Sequence, residues 1–120
     1  MTPRKKPAPA HPHLSEAQLE AVAARFRALA VPSRLRILDA LMAQARSLGE
    51  LEDATGLSQS NLSRQVTELE RAGCVRRLRL GREVRVEIAD PTLKPLCELV
   101  CGAVAQRATD AHQALTGARR

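Results

Sequence analysis

Apolar residues recur every three or four positions along most of the chain, which is the spacing that places side chains on one face of an α-helix. The first such segment has its apolar positions at Leu19, Val22, Phe26 and Leu29. The last segment carries a longer apolar stripe, whose members are Leu93, Cys97, Val100, Val104, Ala108, Ala111 and Leu115. With three further segments between these two, the pattern predicts five helices.

Residues that favour helix starts precede several of these segments. Ser15 and Ser47 are followed three residues later by Gln18 and Glu50, an arrangement in which the two side chains cap the first helical turn. Pro32 suits the first position of a second helix, because the backbone N–H that proline lacks would have no partner there. Helices are therefore predicted to begin beside these residues.

The apolar period changes from helical to two between residues 75 and 88, where apolar and charged residues alternate. Gly81 and Arg82 separate two such runs, and glycine at the first central position suits a type II′ turn. The stretch therefore predicts a β-hairpin, which Asp90 and Pro91 end before the last helix.

A short helix, a link that contains Gly56 and a second helix follow one another between Leu48 and Ala72. This order is typical of the helix-turn-helix motif, whose second helix enters the major groove of DNA. The predicted fold is mainly α, a winged helix-turn-helix of about five helices with one small β-hairpin as the wing. We predict a domain over residues 14–115, between a disordered, basic and proline-rich tail at 1–13 and a frayed C-terminus at 116–120.

Composition narrows the class of partner. The 120 residues carry a formal net charge of +6 and the pI is near 10.2, which indicates a polyanionic partner such as nucleic acid. Prolines stand where a signal peptide needs an apolar run, and no apolar stretch is long enough to span a membrane. We therefore expect a cytoplasmic protein without membrane contact, in which the three cysteines stay reduced.

The helix that follows Ser58 combines an apolar stripe with hydrogen-bonding side chains on its other faces. Arginine pairs with guanine in the major groove, and asparagine or glutamine pairs with adenine. The alternative is a solvated surface helix, but such helices usually mix Glu and Lys at intervals of four, and this helix has no acidic residue before Glu68. The predicted DNA contacts of this recognition helix are Gln59, Ser60, Asn61, Ser63, Arg64 and Gln65.

Arginines continue onto the predicted hairpin, and no lysine lies between residues 7 and 93. Arginine suits contact with phosphates and insertion into the minor groove. The alternative is a hairpin whose charged edges only prevent aggregation. The predicted DNA contacts of the wing are Arg77, Arg79, Arg82 and Arg85.

Two stretches, ALAVPSRLRILDALM at 28–42 and SLGELEDATGLSQSNLSRQVTELERAGCVRRLRLGREVRVEIAD at 47–90, resemble the ArsR/SmtB family of winged-helix repressors. The resemblance extends over residues 15–115. It implies a homodimer whose first and last helices pair across the dimer axis, binding to an imperfect palindrome in double-stranded DNA, and release of that DNA by an inducer. The chain departs from the Ser-x-His-Leu pattern of many relatives, because Gln65 and Val66 follow Ser63 and Arg64.

The resemblance also implies soft metals, arsenite, or reactive sulfur and oxidants as inducers, but no sensor pattern of the family is complete here. Residues 47–51 read Ser-Leu-Gly-Glu-Leu where arsenite sensors carry Cys-Val-Cys-Asp-Leu. The Asp-x-His of zinc sensors is matched only at Asp90, and His112 is the only histidine on the last helix. Persulfide sensors pair cysteines of the second and last helices, whereas the second helix here has Asp39 and no cysteine.

Cys97 and Cys101 remain as candidate effector residues, because residues four apart on a helix share a face. Two thiols suit a thiol-reactive inducer or a soft metal or metalloid ion, and two subunits would supply four thiolates. The alternative is that both cysteines pack as small apolar residues. No cofactor is expected to be required.

Other classes of function fit the sequence less well. The three histidines lie in the tail or near the C-terminus, and neither a nucleophile–base pair nor a glycine-rich phosphate loop is present, so we do not expect an enzyme. Two further alternatives are a winged-helix regulator without cysteine-based sensing and a winged-helix module that binds only protein. The basic wing favours DNA over the protein module.

Overall fold

The computed structural model describes residues 13–117, which form a winged helix-turn-helix as predicted. Its helices and strands are α1 (Glu16–Leu29), α2 (Pro32–Leu41), β1 (Arg46–Ser47), α3 (Leu48–Thr55), α4 (Gln59–Arg71), β2 (Val75–Leu80), β3 (Glu83–Ile88) and α5 (Leu93–Gly117). Residues 1–12 of the predicted tail and 118–120 of the predicted frayed end lie outside the described residues. Helix α5 continues two residues past the limit of 115 that the sequence predicts.

The predicted helix starts are confirmed. Ser15 and Gln18 form a reciprocal capping box at α1, and Pro32 is the first residue of α2. The Ser47 hydroxyl accepts a hydrogen bond from the backbone N–H of Glu50 at 3.1 Å. The Glu50 carboxylate accepts from Arg85 of β3 at 3.3 Å, and so connects the start of α3 to the wing.

The wing is a three-stranded antiparallel sheet in the order β1-β3-β2, one strand more than the sequence predicts. The hairpin of β2 and β3 is confirmed, with Gly81 at φ +67° in its two-residue turn. Strand β1 was not predicted, because two residues carry no alternation and become a strand only by pairing with Val86 and Arg85 of β3. The extra strand joins the wing to the start of α3.

One apolar core lies under α4 and joins it to the other elements. The predicted stripe of Leu62, Val66 and Leu69 is fully buried, as are Ile37 and Leu38 of α2. Further buried side chains come from α3, β2, β3 and the first turn of α5. This packing fixes the orientation of α4, since only one face of the helix can turn toward the core.

Two helices leave apolar side chains on the surface. On α1 these are Leu19, Val22 and Phe26, and on α5 only Leu93 of the predicted stripe is buried. The exposed large apolar side chains of α5 are Val100, Val104 and Leu115 of this stripe, together with Leu99 outside it. The periodicity correctly predicts a shared apolar face, but the elements that the structure describes do not cover it. Within residues 13–117 no helix has the length and apolar character needed to cross a membrane.

Candidate nucleic-acid interface

Helix α4 presents the predicted recognition residues because both of its ends and its apolar face are fixed. Gly56 takes the left-handed conformation that ends α3, with φ +74°. The Ser58 hydroxyl then caps α4 by accepting from the backbone N–H of Asn61 at 3.3 Å. With the apolar stripe buried, Gln59, Ser60 and Arg64 are exposed.

The half-buried members of the recognition set interact with one another and with α2. The Asn61 Oδ1 accepts from Arg64 Nη2 at 3.2 Å and from Gln65 Nε2 at 3.3 Å. The Gln65 Oε1 in turn accepts from Arg34 Nε at 2.8 Å. Arg34 was not predicted from the sequence, since no spacing rule relates two residues 31 positions apart.

Arg77, one of the predicted wing contacts, joins the wing to α4. Its guanidinium donates to Glu70 Oε1 at 2.7 Å and to Thr67 Oγ1 at 3.2 Å, and its backbone N–H donates to Glu70 Oε2 at 3.3 Å. A further contact reaches the carbonyl oxygen of Ser63 at 3.4 Å. These contacts hold the Arg77 side chain against α4, and its contact with DNA stays a prediction.

Arg85 is also engaged inside the domain. It donates to the carbonyl oxygen of Ala45 at 3.2 Å and to Glu50 Oε1 at 3.3 Å, and it pairs with Glu83 at 3.4 Å. Arg85 thus connects β3 to the start of α3, and its contact with DNA stays a prediction.

Arg79 and Arg82 are the other two predicted wing contacts. Both are exposed, and neither makes a hydrogen bond or ion pair within the part of the chain that the structure describes. Residues two apart on a strand point to the same face, so Arg79 continues the side of the wing that Arg77 holds against α4. The basic wing tip and the exposed face of α4 therefore adjoin each other.

Removing the Arg77 side chain will destabilise the domain. We expect Arg77→Ala to lower the free energy of unfolding by about 1–2 kcal/mol, because several hydrogen bonds from a largely buried charged group are lost. The matched control is Arg79→Ala, two residues along the same strand. This substitution should change the free energy of unfolding by less than about 0.5 kcal/mol. Urea unfolding followed by circular dichroism measures both, and equal losses would contradict the structural role.

The three cysteines occupy different environments. Cys74 is fully buried in the core, and burial raises the pKa of its thiol. Cys97 is half-buried and Cys101 is exposed on α5. Burial and the neighbouring Cys101 raise the pKa of the Cys97 thiol, to which Asp39 adds a smaller effect.

Cys97 and Cys101 line two adjacent grooves. The thiol groove, of about 380 Å³, separates them from Asp39 of α2 and from Met42, which follows that helix. The apolar groove, of about 340 Å³, runs between α1, α2 and α5 and includes Phe26 in its wall. No group of three His, Cys, Asp or Glu side chains within residues 13–117 is arranged to hold a metal ion.

Comparison with known proteins agrees with this architecture. Residues 32–83 match the model of the MarR family, a match that includes neither α1 nor α5. An uncharacterized HTH-type transcriptional regulator of Mycobacterium tuberculosis, Rv0081, is 44% identical over 72 residues, 59% of this chain and 63% of that protein. The alignment thus spans less than two thirds of that relative.

Longer alignments cover more of the chain. The HTH-type transcriptional repressor SmtB of Mycobacterium tuberculosis is 38% identical over 93 residues, covering 78% of this chain and 67% of that protein. The solution structure of the homodimeric winged helix-turn-helix DNA-binding domain of Mb0332 from Mycobacterium bovis, a possible ArsR-family regulator, has a TM-score of 0.69 at 29% identity. That match covers 80% of this chain and 92% of the solved fragment.

Proposed function

The chain belongs to the ArsR/SmtB family of winged-helix transcriptional regulators, and we propose that it represses transcription as a homodimer bound to a DNA operator. The observation that carries this proposal is the continuous surface formed by the exposed face of α4 and the wing-tip residues Arg79 and Arg82. One protomer would place the start of α4 in the major groove. The two arginines would lie along phosphates or in the adjacent minor groove. An enzyme and a module that binds only protein are not favoured by this surface.

The exposed apolar faces of α1 and α5 support the homodimer. A second copy of the chain would cover Phe26, Val100 and Val104, which no element of residues 13–117 covers. A two-fold dimer presents two recognition helices, so its operator would be an imperfect palindrome with half-sites about 34–36 Å apart. Such a protein works where the chromosome is, which agrees with the expected cytoplasmic location.

Cys97 and Cys101 are proposed as the effector residues that release the DNA. Their position supports this role, because both line the apolar groove beside Phe26 of α1, at the face proposed to form the dimer. A soft metal or metalloid ion, or a thiol-reactive species, would change the packing there. A change in the angle between protomers would alter the distance between the two recognition helices and weaken binding at both half-sites.

DNA binding is tested by fluorescence anisotropy on a duplex selected from a random pool and on a shuffled duplex. We expect tighter binding to the selected duplex and a steep fall in affinity with salt, because phosphate contacts release counterions. Arg82→Ala should weaken binding to both duplexes equally and reduce the salt slope by about one.

The matched control for this experiment is Gln113→Glu, which lowers the net charge by the same amount as Arg82→Ala at an exposed position of α5, away from the wing and from the apolar stripe. It should leave both affinities and the salt slope unchanged. Equal affinity of the wild type for the two duplexes, or binding that does not depend on salt, would contradict the proposed function.

A further inference from the structure

Four polar side chains form a row that leads from α2 to the exposed face of α4. Arg34 donates from Nε to Gln65 Oε1 at 2.8 Å, and from Nη1 to the carbonyl oxygen of Ala28 at 3.3 Å. Gln65 Nε2 donates to Asn61 Oδ1 at 3.3 Å, and Arg64 Nη2 donates to the same oxygen at 3.2 Å. Of these four residues only Arg64 is exposed.

The chemistry of Arg34 fixes the orientation of both amides. A guanidinium has only donors, so the Gln65 atom that faces Arg34 is its oxygen. The amide nitrogen of Gln65 then faces Asn61, which must receive it with its own oxygen. That oxygen has two lone pairs, and Gln65 and Arg64 occupy both.

This arrangement decides which residue of the row is available to bases. Reading adenine requires the oxygen and nitrogen of one amide to face one base together. The oxygen of Asn61 is fully used, and the two amide atoms of Gln65 face Arg34 and Asn61 on different sides. Arg64 uses one of its five donors on Asn61 and keeps the others, which suffices for a two-pronged contact with O6 and N7 of guanine.

We propose that Arg64 reads a guanine in each half-site and that Arg34, Gln65 and Asn61 are positioning residues that hold its guanidinium. This inference rests on the proposed function, since it takes α4 to lie in the major groove. It assigns no adenine contact to Asn61 or Gln65, although the side-chain types alone favour one. An arginine that is already held in place loses less conformational freedom on binding. The three positioning residues therefore raise the preference of Arg64 for guanine without contacting a base themselves.

The test compares the sequences that each variant selects from a random duplex pool. Wild-type protein should enrich one G·C pair at a fixed position of each half-site, and Arg64→Ala should lose about 5- to 150-fold of the preference at that position. Gln65→Met has nearly the same shape without hydrogen-bonding groups. It should reduce the preference at the same position by about two- to tenfold. In an Arg64→Ala background Gln65→Met should have no further effect.

Two further variants separate positioning from general damage to the fold. Arg34→Lys keeps the charge and removes the Nε donor, so it should reduce the preference at the same G·C pair while the salt slope stays constant. Gln113→Met makes the same chemical change on the exposed surface of α5 and should alter nothing. Thermal unfolding of each variant shows whether the domain remains intact.

The outcomes are distinct. A preference lost at an A·T pair in Gln65→Met would show that Gln65 reads adenine and would overturn the proposal. A full preference for guanine in both Gln65→Met and Arg34→Lys would show that the row positions nothing. If wild-type protein enriches no sequence, the proposed function fails as well, whereas the first two outcomes leave it intact.

Discussion

Val104→Glu will convert the protein into a folded monomer that binds a palindromic operator about 100- to 10,000-fold less tightly than the wild type. Val104 lies on the apolar stripe of α5 and is 63% exposed in the single chain. Its replacement therefore leaves no cavity in the core. In a two-fold dimer the same surface patch of each subunit forms the interface, so the substitution would place two buried carboxylates in it. Burial of two unpaired charges strongly destabilises such an interface.

The loss of affinity follows from the geometry of the operator. A dimer binds its second half-site as an intramolecular event, whereas two monomers must bind separately. Sedimentation velocity gives the oligomeric state, circular dichroism the fold, and anisotropy the affinity for duplexes with one or two half-sites. Binding to a single half-site should change little.

The control for this substitution lies on the opposite side of the same helix. Gln113 is nine positions from Val104, which is a rotation of about 180° around an α-helix. Gln113→Glu adds the same charge to an exposed position and should leave a dimer with full affinity. A dimeric Val104→Glu protein with wild-type affinity would place the dimer interface elsewhere.

Local rules account for the parts of the fold that the sequence predicts. The start of α4 follows from the Ser58 cap and its orientation from the spacing of Leu62, Val66 and Leu69, all of which the structure confirms. The hairpin follows from the alternation around Gly81. Each of these signals depends on residues that are near in sequence, so the sequence pattern alone predicts these features.

The features that the sequence does not predict depend on contacts between distant residues. Strand β1 exists only because Arg46 pairs with Val86, forty positions away. The same holds for the hydrogen bonds of Arg77 and Arg85. Their residue type and their place on the wing favour DNA contacts, but their hydrogen-bond partners in the structure lie on α4, α3 and the neighbouring loop. Periodicity also shows which residues of α5 share a face, but not whether a second chain covers it.

The second large effect that we expect is release of the operator through the thiol pair. Zn(II), arsenite, a persulfide donor and peroxide would be added in turn to the reduced protein on its operator. We expect one of these classes to lower the affinity about 5- to 150-fold, the usual range of coupling between two sites. Cys97→Ser combined with Cys101→Ser should abolish the response and leave basal DNA binding unchanged.

The structure supplies a physical route for this coupling through α2. Leu35 of α2 lines the apolar groove together with both cysteines, while Asp39 lines the thiol groove. Arg34, the residue before Leu35, holds Gln65 of the recognition helix. A ligand that shifts α2 against α5 would therefore act on the dimer face and on the recognition helix together.

The acidity of Cys97 predicts how a metal response depends on pH. Its pKa is raised above the ordinary value of 9.0, so at neutral pH the thiol is protonated and an ion must displace that proton. If Zn(II) is the active class, the Zn(II) concentration that releases half of the operator should fall as the pH rises. The fall should be about tenfold per pH unit for each proton that the ion displaces. The measurement compares the Zn(II) concentration for half-release at about pH 6.5 with that at about pH 7.5.

Cys74→Ala is the matched control for the thiol pair. Cys74 is fully buried under the start of the wing, away from both grooves, so its loss should leave the response intact if the fold is maintained. A response that survives in the double serine variant would show that Cys97 and Cys101 only pack on α5. A response lost in Cys74→Ala, with unchanged thermal unfolding, would move the sensing site to the base of the wing. Either outcome would contradict the proposed role of the thiol pair, because a sensor on α5 requires those two thiols and does not require Cys74.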